Sequence, residues 1–305
     1  MVMKFDRRNW IYLVGATLCG CKARKTAGSP GTSGANSDPL VQAGPFSVVV
    51  PLAWKEFAKV EDIPANPLYT TGEWQQVQSD KKANVVPAVY KPHFGVRPHH
   101  RAIRLPAALP KGLKQEPGDP GEEPTAPQIL IHKADEWSAI FADGVDGKNN
   151  SAETIRKLRE GMEAAITENG PIEVPAFMDA SLSFQCLKKR IDFEGGHGVR
   201  LLAQWIIEPE LLRENQLHYL FLGLSDDNSC QIIATFPVTL PGLPDDSPEA
   251  EHLGRSIKRY DELSQNLDTY RKDATAWLEQ HATEITPSLD TLDDMLKSLV
   301  VRRWE

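Results

Sequence analysis

Three histidines, His93, His99 and His100, stand close together in the run His-Phe-Gly-Val-Arg-Pro-His-His. Three imidazoles can hold Zn²⁺ or Cu²⁺. Arg97 lies among them, however, Arg101 follows directly, and no carboxylate or thiol is near. The run reads better as loop histidines, and the sequence assigns no metal and no cofactor. There is no HExxH and no paired CxxC, and the Gly-x-Ser-x-Gly elbow of the α/β-hydrolases is missing. Gly195-Gly196-His197-Gly198 follows an apolar run but precedes another one. A phosphate cradle needs a helix N-terminus behind it, so this glycine cluster reads as a hairpin turn. The remaining candidates are Arg200, Gln204, Trp205 and Tyr219, an aromatic, guanidinium and amide set suited to a sugar or a peptide. Arg200 and Gln204 are four apart and share one face of a strand, whereas Trp205 points the other way. The competing reading is a cross-strand aromatic pair packing a core, with Arg200 ion-paired; the alternation favours it. No constellation identifies a reaction, and catalytic residues are left unassigned.

The elements that must position these residues are legible from period and punctuation. Phe46 to Val50 is a strand stopped by Pro51, and Val85 to Pro92 is another β-rich run. Seven prolines fall between residues 93 and 128, which reads as a Pro-rich surface excursion. Gln128 to His132 is a short strand. A helix starts at Asn150 or Ser151, carries Ile155, Leu158, Met162 and Ile166 on one stripe, and closes at Gly170. Four strands follow, from Leu182, Val199, His218 and Cys230, and the first changes phase near Cys186 as a bulge would. The last two form a hairpin across Ser225 to Asn228. Helical patterns then run from Glu249 to His281 and from Pro287, carrying Leu289, Leu292, Met295 and Leu299.

The chain has 305 residues, 41% hydrophobic and 25% charged, which suits a globular protein. Its net charge of −8 excludes the basic surplus of a general nucleic-acid binder. Lys4, Arg7 and Arg8 precede an apolar run from Trp10 to Cys19. Ten residues are too few to span a membrane but suit a signal-peptide core. The run ends Leu18-Cys19-Gly20-Cys21, which resembles the lipobox of bacterial lipoproteins. That resemblance implies cleavage after residue 20, diacylglycerol on Cys21 and an acylated amino terminus. Two or three acyl chains anchor stably where one does not. Lys22, rather than Asp, leans toward the outer membrane in a Gram-negative cell. Removal of residues 1–20 leaves 31 basic against 41 acidic side chains, a net of −10. Residues 21–45 are rich in Gly, Ser, Ala and Pro and read as a disordered tether. Cys186 and Cys230 remain, either as a disulfide or as two buried thiols.

From about residue 127 onward the chain resembles a family of exported bacterial proteins with no assigned activity. The resemblance rests on Gly196-His-Gly198-Val199-Arg200-Leu201-Leu202-Ala203-Gln204-Trp205, on Tyr219-Leu-Phe221-Leu-Gly223-Leu224-Ser225-Asp226-Asp227, and on Ala234-Thr-Phe236-Pro237-Val238-Thr-Leu-Pro241-Gly-Leu243-Pro244. It departs at Ala203, where Thr is usual, and at Cys230, where an aromatic is. More distantly, Val50-Pro51-Leu-Ala-Trp54 looks like the opening of photosystem-associated PsbP-like domains, which pair an antiparallel sheet with helices and mostly serve in binding or assembly; this is analogy of fold alone. The expectation is a single α+β domain over 46–305, an antiparallel sheet of at least four strands under long C-terminal helices. Its expected role is that of a lipid-anchored envelope protein, a non-catalytic module binding an envelope protein or a glycan. The alternative is an envelope hydrolase with an unrecognised site.

Overall fold

The computed structural model describes residues 39–67, 71–83, 97–113, 126–137, 151–167, 170–172, 181–206, 211–213, 216–243, 251–252, 255–256 and 266–304. All of them belong to one compact unit, Ser37–Glu305. The expected leader, Cys21, most of the expected tether, His93 and the 85–92 run lie outside the described residues.

The fold is α+β, with antiparallel sheets packed against helices. Its spine is a seven-stranded sheet built from β3 (Lys59–Ile63), β4 (His100–Arg104), β5 (Gln128–Lys133), β6 (Ser181–Phe193), β7 (Gly196–Ile206), β8 (His218–Ser225) and β9 (Cys230–Pro237). The order is β3-β4-β5-β9-β8-β7-β6, so two meanders are joined where β5 pairs with β9. Every residue of β8 and β9 is buried. Alternation along β8 sends Tyr219 and Phe221 into one core and Leu220, Leu222 and Leu224 into the other. A smaller sheet, β1 (Leu40–Ala43), β2 (Phe46–Val49) and β12 (Val300–Val301), has β2 in the middle. β10 (Glu251–His252) and β11 (Arg255–Ser256) form a separate pair.

The helices are α1 (Leu52–Lys55), α2 (Thr71–Lys82), α3 (Ser151–Thr167), α4 (Leu267–Gln280) and α5 (Leu289–Lys297). Ile155, Leu158 and Met162 of α3 cover the Leu220 face, as their stripe requires. Tyr270, Ala274 and Leu278 of α4, with Leu292 and Leu296 of α5, cover the Tyr219 face. Ser288 caps α5, its hydroxyl accepting from the Thr291 N–H at 3.2 Å.

Three expectations are corrected. Ordered structure begins at β1, inside the stretch read as tether, because Gly44 turns the chain with φ +65° and lets Leu40–Ala43 pair with β2. The Pro-rich stretch 93–128 is not wholly a surface excursion. It contains β4, which is paired on both sides, with its prolines, Pro98 and Pro106, just outside the strand. The pattern from Glu249 is not one helix, since β10 and β11 come first and α4 starts at Leu267.

The expected bulge is present. The β6–β7 register shifts between Cys186 and Lys189, where Leu187 has φ +51°. The glycine cluster is a hairpin turn with Gly195 at φ +90°. Gly198 and Gly223 oppose each other across β7 and β8, and the Phe221 ring fills the space their missing side chains leave. A Cβ on Gly198 would sit 2.4 Å from both the Leu222 oxygen and the Phe221 Cζ. Gly198→Ala is expected to destabilise the domain by roughly 1–3 kcal/mol through overpacking. A urea midpoint equal to wild type would contradict this packing.

Candidate functional site

The four residues singled out by the sequence are brought to the sheet but not to one cleft. Arg200 on β7 and Tyr219 on β8 share a face, and both reach Asp293 on α5, which is fully buried. Tyr219 donates its hydroxyl proton to Asp293 Oδ1 at 2.9 Å, and Arg200 donates from Nε to the same oxygen at 3.2 Å. Lys189 donates from Nζ to Asp293 Oδ2 at 2.7 Å. The Arg200 guanidinium also donates to the Leu187 carbonyl at the bulge. Burial first, and the Asp293 charge second, hold the Tyr219 phenol well above its ordinary pKa, so it stays a neutral donor.

Gln204 is buried on the same face and donates to the Leu211 carbonyl at 3.1 Å and to Gln216 Oε1 at 2.7 Å. Trp205 lies on the opposite face, edge-on to His218 with centroids 5.3 Å apart. Arg200, Gln204 and Tyr219 are therefore core groups with protein partners, and Trp205 is parted from them by the sheet. Asp293 was not singled out by sequence. Its signal was the helical wheel, because Asp293 sits with Leu289, Leu292 and Leu296 on the buried stripe of α5.

The histidines diverge. His99 faces Asp62, with Nε2 to Oδ1 at 2.9 Å, and this hydrogen bond, with the charge of His99 and Arg101, lowers the Asp62 pKa. His100 turns into the opposite core and meets His132, its cross-strand partner, at a centroid distance of 4.7 Å. Among the described residues no three His, Cys, Asp or Glu side chains form a metal-sized cluster. Cys186 and Cys230 are separate buried thiols, on β6 and β9. Burial raises both pKa values and keeps them protonated.

A concave site does exist elsewhere. Trp54 of α1, Pro110 and Lys111 beyond β4, Pro241 beyond β9, and Pro287 and Thr291 at the start of α5 wall a groove of about 550 Å³. Its frame is rigid for reasons of backbone pairing. Thr239 and Thr286 exchange two backbone hydrogen bonds, at 2.8 and 2.9 Å, which tie the exit of β9 to the approach of α5. Trp54 packs its inner edge on the core and remains partly exposed. Lys111 is the sole cationic side chain in the described lining, which contains no carboxylate, imidazole or thiol. The volume falls within the usual range of binding clefts.

Compared with protein-family models, curated proteins and solved structures, the chain matches none.

Proposed function

We propose that this protein is a lipid-anchored binding module of the bacterial cell envelope, and that the Trp54 groove holds an extended peptide segment of a partner protein. The observation that carries the reading is the chemistry of the groove: an aromatic face and three prolines, rimmed by Thr and Ser hydroxyls, with one lysine. Rigid apolar walls with few polar groups suit an extended chain, whose backbone supplies the hydrogen bonds. A glycan would call for carboxylates or side-chain amides to meet its hydroxyls, and the described lining supplies none. The same lining offers no acid–base pair, so nothing in it favours the hydrolase alternative.

The anchor is supported by the leader and by Leu18-Cys19-Gly20-Cys21. Among the described residues no helix is long and apolar enough to cross a membrane. Cys21 carries the lipid, and the outer membrane is the favoured location in a Gram-negative cell.

The groove is tested by panning a random-peptide phage library on the purified protein. The expected result is a set of clones that bind wild type but not Thr286→Trp, which plugs the groove from an exposed position, nor Trp54→Ala. Clones indifferent to both variants, or no enrichment at all, would reject the peptide-binding role.

A further inference from the structure

Five large apolar side chains are exposed among the described residues, and all of them fall between residues 40 and 60. They are Leu40, Val49, Leu52, Phe57 and Val60, with Leu52 71% and Phe57 57% exposed. They come from consecutive elements. Leu40 and Val49 oppose each other across β1 and β2. Leu52 opens the single turn of α1 and Phe57 follows it, and Val60 lies on β3, the edge strand of the large sheet, beside β1. Such a concentration marks an interaction surface.

We infer that this surface is the part of the domain that rests on the lipid bilayer, Leu52 and Phe57 entering the headgroup region. The inference rests on the anchor at Cys21 proposed above. Leu40 is both the first strand residue of the fold and a member of the surface. Only 18 residues, 22–39, lie between it and the lipid-bearing Cys21, a reach of at most about 60–65 Å when fully extended. The chain coming from the anchor therefore enters the fold on this side of the domain. Charge agrees. Residues 40–60 carry Lys55 and Lys59 against Glu56, a local excess of one positive charge in a chain of net −8. The acids that follow are occupied, Glu61 by Arg104 at 2.7 Å and Asp62 by His99 at 2.9 Å. An apolar tip with a basic margin suits an anionic lipid surface.

The test uses the mature protein purified from membranes and reconstituted into vesicles of phosphatidylcholine and phosphatidylglycerol. Phe57→Cys and, as a control at a solvent-exposed position of α4, Asp268→Cys each carry an environment-sensitive fluorophore, and the mass of the N-terminal peptide reads the acylation of Cys21. The expected result is an acylated Cys21, with emission at 57 shifted to the blue and quenched by brominated lipid while 268 behaves as in water. An acylated Cys21 with 57 as wet as 268 would overturn the surface and leave the anchor standing. A label at 57 shielded from water yet untouched by brominated lipid would assign the surface to a protein partner and overturn the proposal equally. An unacylated Cys21 would remove the anchor and the proposal with it.

Discussion

Asp293→Ala is expected to destabilise the domain by roughly 3–5 kcal/mol, a large share of the 5–15 kcal/mol that holds a typical domain together. The carboxylate is the shared acceptor for Tyr219, Arg200 and Lys189. Lys189 is half exposed and can turn to water when its partner is lost. Arg200, with its side chain only 10% exposed, and Tyr219, fully buried, cannot. The loss thus leaves a buried cation and a buried hydroxyl short of an acceptor, which outweighs the pair's own attraction. The companion variant Asp293→Leu combined with Arg200→Met removes both charges together and is expected to recover most of the loss. Urea unfolding reads both variants. A single variant within about 1 kcal/mol of wild type would mean that this cluster does not fasten α5 to the sheet.

Acid is expected to unfold the domain well above the pH at which carboxylates titrate. His100 is brought down to about 4, chiefly by burial and then by the charges of Arg97 and Arg104 against the bond to the Pro98 carbonyl. His132 lies well below its ordinary value because it is fully buried, beside His100 and Arg97, and neither of its ring nitrogens meets a hydrogen-bond partner. Burial brings His218 down to about 4 as well. Each of these groups is protonated near pH 6.5 in the unfolded chain and not in the folded one. Between pH 6.5 and about 4.5 the unfolded state therefore binds more protons, and stability falls as pH falls, by roughly 1.4 kcal/mol per unit for each histidine. Above pH 6.5 their contribution is complete. Three such groups remove roughly 4 kcal/mol per pH unit, so unfolding is expected at roughly pH 5. His132→Leu is expected to lower the slope of stability against pH by one proton in this window; an unchanged slope would contradict the burial of His132 as a neutral group.

The legible parts of the fold were those with a single strong period. β8 and β9 announce themselves as largely apolar runs because both faces are covered. The β6 bulge showed as a switch of phase after Cys186. What was not legible is set by partners distant in sequence. Leu40–Ala43 has too little pattern to stand out from a Gly- and Pro-rich stretch and becomes a strand only by pairing with β2. His100–Arg104 mixes charge with apolar residues, and its place comes from β3 on one side and β5 on the other. The groove was out of reach for the same reason, since Trp54, Pro110, Pro241 and Thr291 are drawn from four segments spread over most of the chain. Arg200 and Gln204 were placed correctly on one face, opposite Trp205. Only Asp293, more than 90 residues later, decides that Arg200 closes a core rather than opening on a cleft.

Where the domain is held governs what it can bind. Metabolic labelling with radioactive palmitate, followed by separation of membranes from soluble protein, tests this most directly. Wild type is expected to carry the label and sediment with the membranes, and Cys21→Ala to carry none. Label persisting in Cys21→Ala, or a wild-type chain found soluble in the cytosol with residues 1–20 still attached, would contradict it.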